Sequence, residues 1–125
     1  MAFNIVFYQD KKGNAPVLDY LKKLGSRTDK DSRIKMNKIQ DYIEVLSQYG
    51  TRAGEPFVKH LDGDIWELRP LKDRILFAAW DGNRFVLLHT FVKKTQKTPV
   101  REILKAKSEF ADFVKRSGHH ENKND

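Results

Sequence analysis

Asp64-Ile-Trp-Glu-Leu-Arg69, Arg74-Ile-Leu-Phe-Ala-Ala-Trp80 and Arg84-Phe-Val-Leu-Leu-His-Thr-Phe-Val92 are three short runs rich in β-branched, aromatic and leucine residues. Pro70-Leu-Lys-Asp73 and Asp81-Gly-Asn83 separate them. Gly and Asn tolerate the positive φ of tight hairpin turns, so the second separator is a strong turn signal. Three sequential strands joined this way predict an antiparallel meander.

Working outward, Phe3, Ile5 and Phe7 alternate with Asn4, Val6 and Tyr8 before a string of turn formers, Gln9 to Asn14, which predicts a first strand. Pro16 suits a first helical turn, and Val17, Tyr20, Leu21 and Leu24 form a stripe that ends at Gly25. From Asp29, Ile34, Ile39, Tyr42, Ile43, Leu46 and Tyr49 fall mostly three or four apart, and Gly50 supplies a stop. Lys30, Arg33, Lys35 and Lys38 read as the solvated face of that helix.

Thr98 is the expected cap of a last helix, with Pro99 in its first turn and Val100, Ile103, Leu104, Phe110, Phe113 and Val114 as its apolar face. The order β-α-α-β-β-β-α predicts an α+β domain. Its twisted, mostly antiparallel sheet would carry helices on one face and leave part of the other as a groove. The domain is expected over residues 1–116, followed by a mobile polar tail, 117–125.

At 125 residues the chain is one domain long, with 39% apolar residues to build a core. Lys and Arg exceed Asp and Glu by enough to give +7, which favours polyanionic partners but is also met in proteins that are merely soluble. No cysteine is present, which excludes disulfides, thiolate zinc sites and a Cys nucleophile. The N-terminal residues carry no basic leader, and no run approaches the length of a membrane span, so a cytoplasmic location is expected.

Alternation places Ile65, Glu67 and Arg69 on one face of their strand. Arg69 and Arg74 fall at the same end of adjacent strands, where they can form a forked cationic site for phosphate. Lys93, Lys94 and Lys97 follow the third meander strand and lead into a helix N-terminus, a natural anion site. RNA cleavage through a 2′-hydroxyl needs a proton acceptor, a stabiliser for the crowded phosphorane and a donor for the leaving oxygen. Two readings of Glu67 stand: proton acceptor, or simple neutralisation of Arg69. Lys94 is the candidate acid or phosphorane stabiliser. His60, beside Lys59, is a candidate to line the groove, whereas His89 reads as a strand residue with a satisfied hydrogen bond. No His–carboxylate spacing supports a metal, and His119 and His120 fall in the tail.

The texts Leu61-Asp-Gly-Asp-Ile-Trp-Glu-Leu-Arg69 and Phe91-Val-Lys-Lys-Thr-Gln-Lys-Thr-Pro99, with Glu102-Ile103, resemble HigB-like toxins of the RelE/ParE superfamily and their phage-derived relatives. The resemblance runs from the first strand to the last helix. It implies a RelE-like fold, no cofactor, and a metal-independent endoribonuclease that cuts messenger RNA, often on the ribosome. It also implies a HigA-like antitoxin, commonly with a helix-turn-helix domain, through which the complex would bind operator DNA. By position it makes Arg69, Arg74 and Lys93 or Lys94 catalytic. Together with Glu67 they form the expected catalytic set, and Lys59, His60 and Lys97 the expected RNA contacts. This chain departs from the best-known members at Ile65 and Glu67, where they have lysines, and in lacking a C-terminal tyrosine, which leaves the proton-transfer roles open. Two rivals remain: a ParE-like protein that poisons gyrase without cutting RNA, and a binder of RNA or antitoxin with no chemistry.

Overall fold

The structure, a computed structural model, describes the backbone of residues 2–124 and the side chains of residues 2–117. The elements in chain order are β1 (Asn4–Phe7), α1 (Pro16–Gly25), α2 (Lys30–Tyr49), a short 3-10 turn (Gly50–Ala53), β2 (Val58–Asp62), β3 (Ile65–Leu68), β4 (Asp73–Trp80), β5 (Arg84–Val92) and α3 (Val100–Asn124). The sheet order is β1-β5-β4-β3-β2, with β1 parallel to β5 and every other pair antiparallel.

The α+β reading holds, with one strand more than expected: the meander has four strands. The unforeseen β2 is an edge strand in which only Val58 is fully buried, so it carries almost no alternation to read.

Both faces of the sheet are covered, not one. Ile75 and Phe77 of β4 meet Val17, Leu21, Leu24, Ile39 and Leu46 of α1 and α2. Leu76 and Ala78 turn the other way, into a second core with Ile65, Val86, Leu88, Ala106, Phe110 and Phe113 that α3 closes. This two-sided burial is why β4 reads as an unbroken apolar run.

Local signals explain the joints. Asp29 caps α2 by accepting from the Ser32 amide at 3.0 Å. Gly50 ends α2 with φ +63°, and its α-carbon lies so close to Phe3 that an added Cβ would sit 2.9 Å from that ring. The β4–β5 turn has positive φ at Gly82, as expected, but its second positive-φ residue is Asp81 and not Asn83.

Two expectations about α3 change. It begins at Val100, and the Thr98 hydroxyl donates to Glu67 across the fold. The inward stripe is Glu102, Ala106, Glu109 and Phe113, so Val100 and Leu104 are left exposed. The backbone of α3 continues through Asn124, over the stretch read as a tail. The side chains of His119 and His120, like all of Asp125, lie outside the described residues.

Candidate active site

The sheet end at which β3 leaves, β4 starts and β5 finishes is tied down from both faces. On the α1–α2 face the buried Asp73 carboxylate accepts from the Tyr20 hydroxyl at 2.8 Å and lies 3.9 Å from the Lys35 ammonium. Burial and this bond push the Tyr20 hydroxyl well above the usual tyrosine range. Asp73, the residue next to Arg74, is thereby anchored.

Arg74 turns to the α3 face and is 6% exposed. Its Nη1 donates to the carbonyls of Leu71 and Asp73, each at 2.9 Å, which fixes the guanidinium. Burial draws Arg74 below the usual arginine range, against the pull of Glu67, while Arg69 adds to the lowering. The group stays charged. A cation stripped of water in this way gains more from an incoming phosphate than an exposed one does.

Behind Arg74, Glu67 is buried. Its Oε1 accepts from the Thr98 hydroxyl at 2.6 Å, and its Oε2 lies 3.5 Å from Arg69 Nε. Arg69 also reaches Glu55 through Nη1 at 2.8 Å, while its buried Nε makes no hydrogen bond. Glu67 thus links β3 to the segment that opens α3.

In front of Arg74 lies a groove of about 550 Å³, with Phe91 among its lining residues. Lys93, Lys94 and Lys97 from the loop after β5, and Arg101 from the start of α3, surround it. Glu102 is the carboxylate among its lining residues. The structure therefore brings Arg74, Lys93, Lys94 and Lys97 to one groove and puts Glu67 and Arg69 directly behind it.

It does not bring Lys59 and His60 there. Both sit on β2, at the far edge of the sheet. Lys59 pairs in register with Glu67 and shares its face, but stands outside the groove. His60, one residue on, faces the opposite way, with its Nε2 2.8 Å from the Gly63 carbonyl and its ring edge-on to Trp66.

Sequence reasoning missed a second group. His89 is buried, and its Nδ1 lies 2.6 Å from Glu109 Oε1 and its Nε2 2.9 Å from Glu102 Oε1. Each ring nitrogen of His89 therefore has a glutamate oxygen as its partner. A β-bulge puts His89 there: Leu76 pairs with His89 and Phe77 with Leu87, so Leu88 is the extra residue. The available signal was the seven-residue spacing of Glu102 and Glu109, which sets both on one helix face opposite a lone strand histidine. The two glutamates approach opposite ring nitrogens. Among the described residues no group of three or more His, Asp or Glu is arranged to hold a metal ion.

An apolar cleft of about 690 Å³, lined by Phe3, Val45, Tyr49 and Phe57, lies beside the 3-10 turn, with Arg52 as its charged residue. It is larger than the cationic groove but has little means of moving a proton or holding a phosphate.

The profile of the family described as phage-derived protein Gp49-like matches residues 29–111, about two thirds of the chain, from the α2 cap into α3. The chain is a member of the Gp49-like family. No curated protein matches it closely enough to count as a relative. The matched span holds the whole groove, with Glu67, Arg69, Arg74 and Glu102. The Gp49-like family is of the RelE/Gp49 toxin type and is associated with toxins of toxin–antitoxin systems, which implies an antitoxin partner in general. In this Gp49-like protein no helix among the described residues is long and apolar enough to cross a membrane.

Proposed function

We propose that this Gp49-like protein is a HigB-like, metal-independent endoribonuclease that cuts messenger RNA on the ribosome in the cytoplasm and is held in check by a HigA-like antitoxin. One observation carries the reading: the buried Arg74, with Lys93, Lys94, Lys97 and Arg101, surrounds a single groove at the start of α3. Such a cluster matches the charge that builds up on a phosphorane.

In this scheme the 2′-oxygen attacks the adjacent phosphorus and the P–O5′ bond breaks, leaving a 2′,3′-cyclic phosphate and a 5′-hydroxyl. Arg74 stabilises the phosphorane. Lys94 protonates the departing 5′-oxygen, and Lys93 and Lys97 hold neighbouring phosphates. Glu67, through Arg69 and Thr98, sets the wall behind Arg74. An acidic segment of the antitoxin, which would also carry any contact with operator DNA, would neutralise the protein by filling the same groove.

Primer-extension mapping of a message in a ribosome-containing translation reaction tests the proposal. Discrete cuts are expected with the wild type and none with Arg74→Ala. An uncut message, together with inhibition of gyrase supercoiling, would replace this reading with a gyrase-directed one. Salt-sensitive RNA binding without cuts would leave a binding module.

A further inference from the structure

Resting on the nuclease reading, we propose that Glu102 is the proton acceptor for the attacking 2′-hydroxyl, and that His89 is the residue that positions it. Three carboxylates come into question around Arg74: Asp73 is turned to the opposite face and held by Tyr20, which leaves Glu67 and the groove-lining Glu102, and these differ in access. Glu67 is 3% exposed, with one oxygen taken by Thr98 and the other turned to Arg69. A 2′-hydroxyl would have to displace buried structure to reach it. Glu102 lines the groove itself.

The two oxygens of Glu102 have different surroundings. Oε1 is held by His89 Nε2 at 2.9 Å, whereas Oε2 lies 4.0 Å from Arg101 Nε, beyond hydrogen-bonding distance. Oε2 is the oxygen left to take a proton. His89 cannot swing, because Glu109 holds its Nδ1 at 2.6 Å from the side away from the groove. A base aimed by a second group that is itself held by a third is the arrangement by which proton acceptors are fixed in position. The first turn of α3 also favours negative charge at this position.

The step balances. The O2′–P bond forms as the 2′-proton passes to Glu102 Oε2, and the P–O5′ bond breaks as Lys94 gives its proton to O5′. The titratable and charged groups that contact Glu102 or line the groove with it are His89 from β5, Arg101 from α3, Lys93, Lys94 and Lys97 from the loop, and Arg74 from β4.

The test compares Glu102→Gln with Glu109→Gln in the cleavage reaction across pH. It also measures binding of an RNA carrying a 2′-deoxy sugar at the mapped cut. Glu102→Gln keeps an oxygen that can accept from His89, and its cleavage is expected to fall about 100-fold or more, with loss of the acid-side limb of the pH profile. Its binding of the deoxy RNA should hold or tighten as a negative charge leaves the groove. Glu109→Gln loosens the same imidazole from behind and should cost less than about fivefold. Glu102→Asp retains a carboxylate with shorter reach, and should cleave at an intermediate level with the acid limb intact.

Cleavage by Glu102→Gln within about threefold of wild type would overturn the assignment and leave the nuclease reading standing. Equal losses in Glu102→Gln and Glu109→Gln would reduce the trio to a structural clamp. Should Glu102→Gln fail to fold, a Glu102→Asp protein that is folded but inert overturns it instead. A wild type that makes no cuts removes the nuclease reading, and this inference with it.

Discussion

Under the proposed function Arg74 does two jobs with one side chain, tying down the turn before β4 and meeting the phosphate. Arg74→Ala removes the donor to the Leu71 and Asp73 carbonyls, so it should lower unfolding free energy in urea by about 1–3 kcal/mol and abolish cutting. Arg74→Lys keeps the charge but gathers its donors on one nitrogen, so the ammonium cannot stand where Nη1 meets both carbonyls and also reach forward as the other guanidinium nitrogens can. Its cleavage should lie much nearer to that of Arg74→Ala than to wild type, as initial rates on the same message would show. Arg69, Arg74, Lys93 and Lys94 were legible in the sequence because cations at strand ends keep their meaning whatever covers the sheet. His89 was legible as a strand residue with a satisfied hydrogen bond, but its partnership with Glu102 was not. Their pairing depends on the extra residue at Leu88 and on which stripe of α3 turns inward, and neither is visible before the helix is docked. His60 was misplaced for the complementary reason, since one step along an unread strand reverses a side chain's face.

Among the elements, the joint between α2 and the sheet rests on a glycine. Gly50 has φ +63° and ψ −153°, a region nearly closed to other residues, and it lies against Phe3. Gly63, in the β2–β3 turn, also has positive φ, but no atom stands within 4 Å of where a Cβ would be. Gly50→Ala should therefore cost about 3 kcal/mol or more and Gly63→Ala about 1, measured by urea denaturation. The fastening of α3 to β1 predicts a pH dependence. Burial, and then donation to Asp112 at 2.6 Å, push the Tyr8 hydroxyl up to about 12. Between the ordinary 10.0 and about 12 the unfolded chain gives up this proton while the folded protein keeps it, so stability falls as pH rises through that window. Tyr8→Phe should flatten that part of a plot of melting temperature against pH. At the acid end the Tyr8 hydroxyl, and then Arg116, hold the Asp112 carboxyl below its usual range. That contribution is present above the unfolded carboxylate value and is lost as pH drops through the folded one. The existence of most elements was legible, whereas β2 was hidden by its single buried residue and the facing of α3 by its two inward glutamates.

For the molecule as a whole, the net charge is +7 and five cations with one carboxylate line a single groove, so under the proposed function RNA binding should be salt-dependent. Three to five phosphate contacts to a single strand should give a log–log slope against salt of about −2 to −3.5, read by titrating an uncleavable RNA. Lys94→Ala should make the slope shallower by about 0.7. The sheet that carries the groove is closed by its most distant pairing, Asn4 with Arg84 through Phe7 with Leu87. During synthesis β1 and both early helices exist long before β5, and the segment from Lys93 to Glu102 comes later still. A growing chain therefore holds apolar surfaces of α1 and α2 with no sheet to cover them, and gains its cationic groove only after the last strand has joined. A fragment that stops before β5 would be sticky, and under the proposed function it would be chemically harmless, because it lacks the segment from Lys93 to Glu102 that completes the groove.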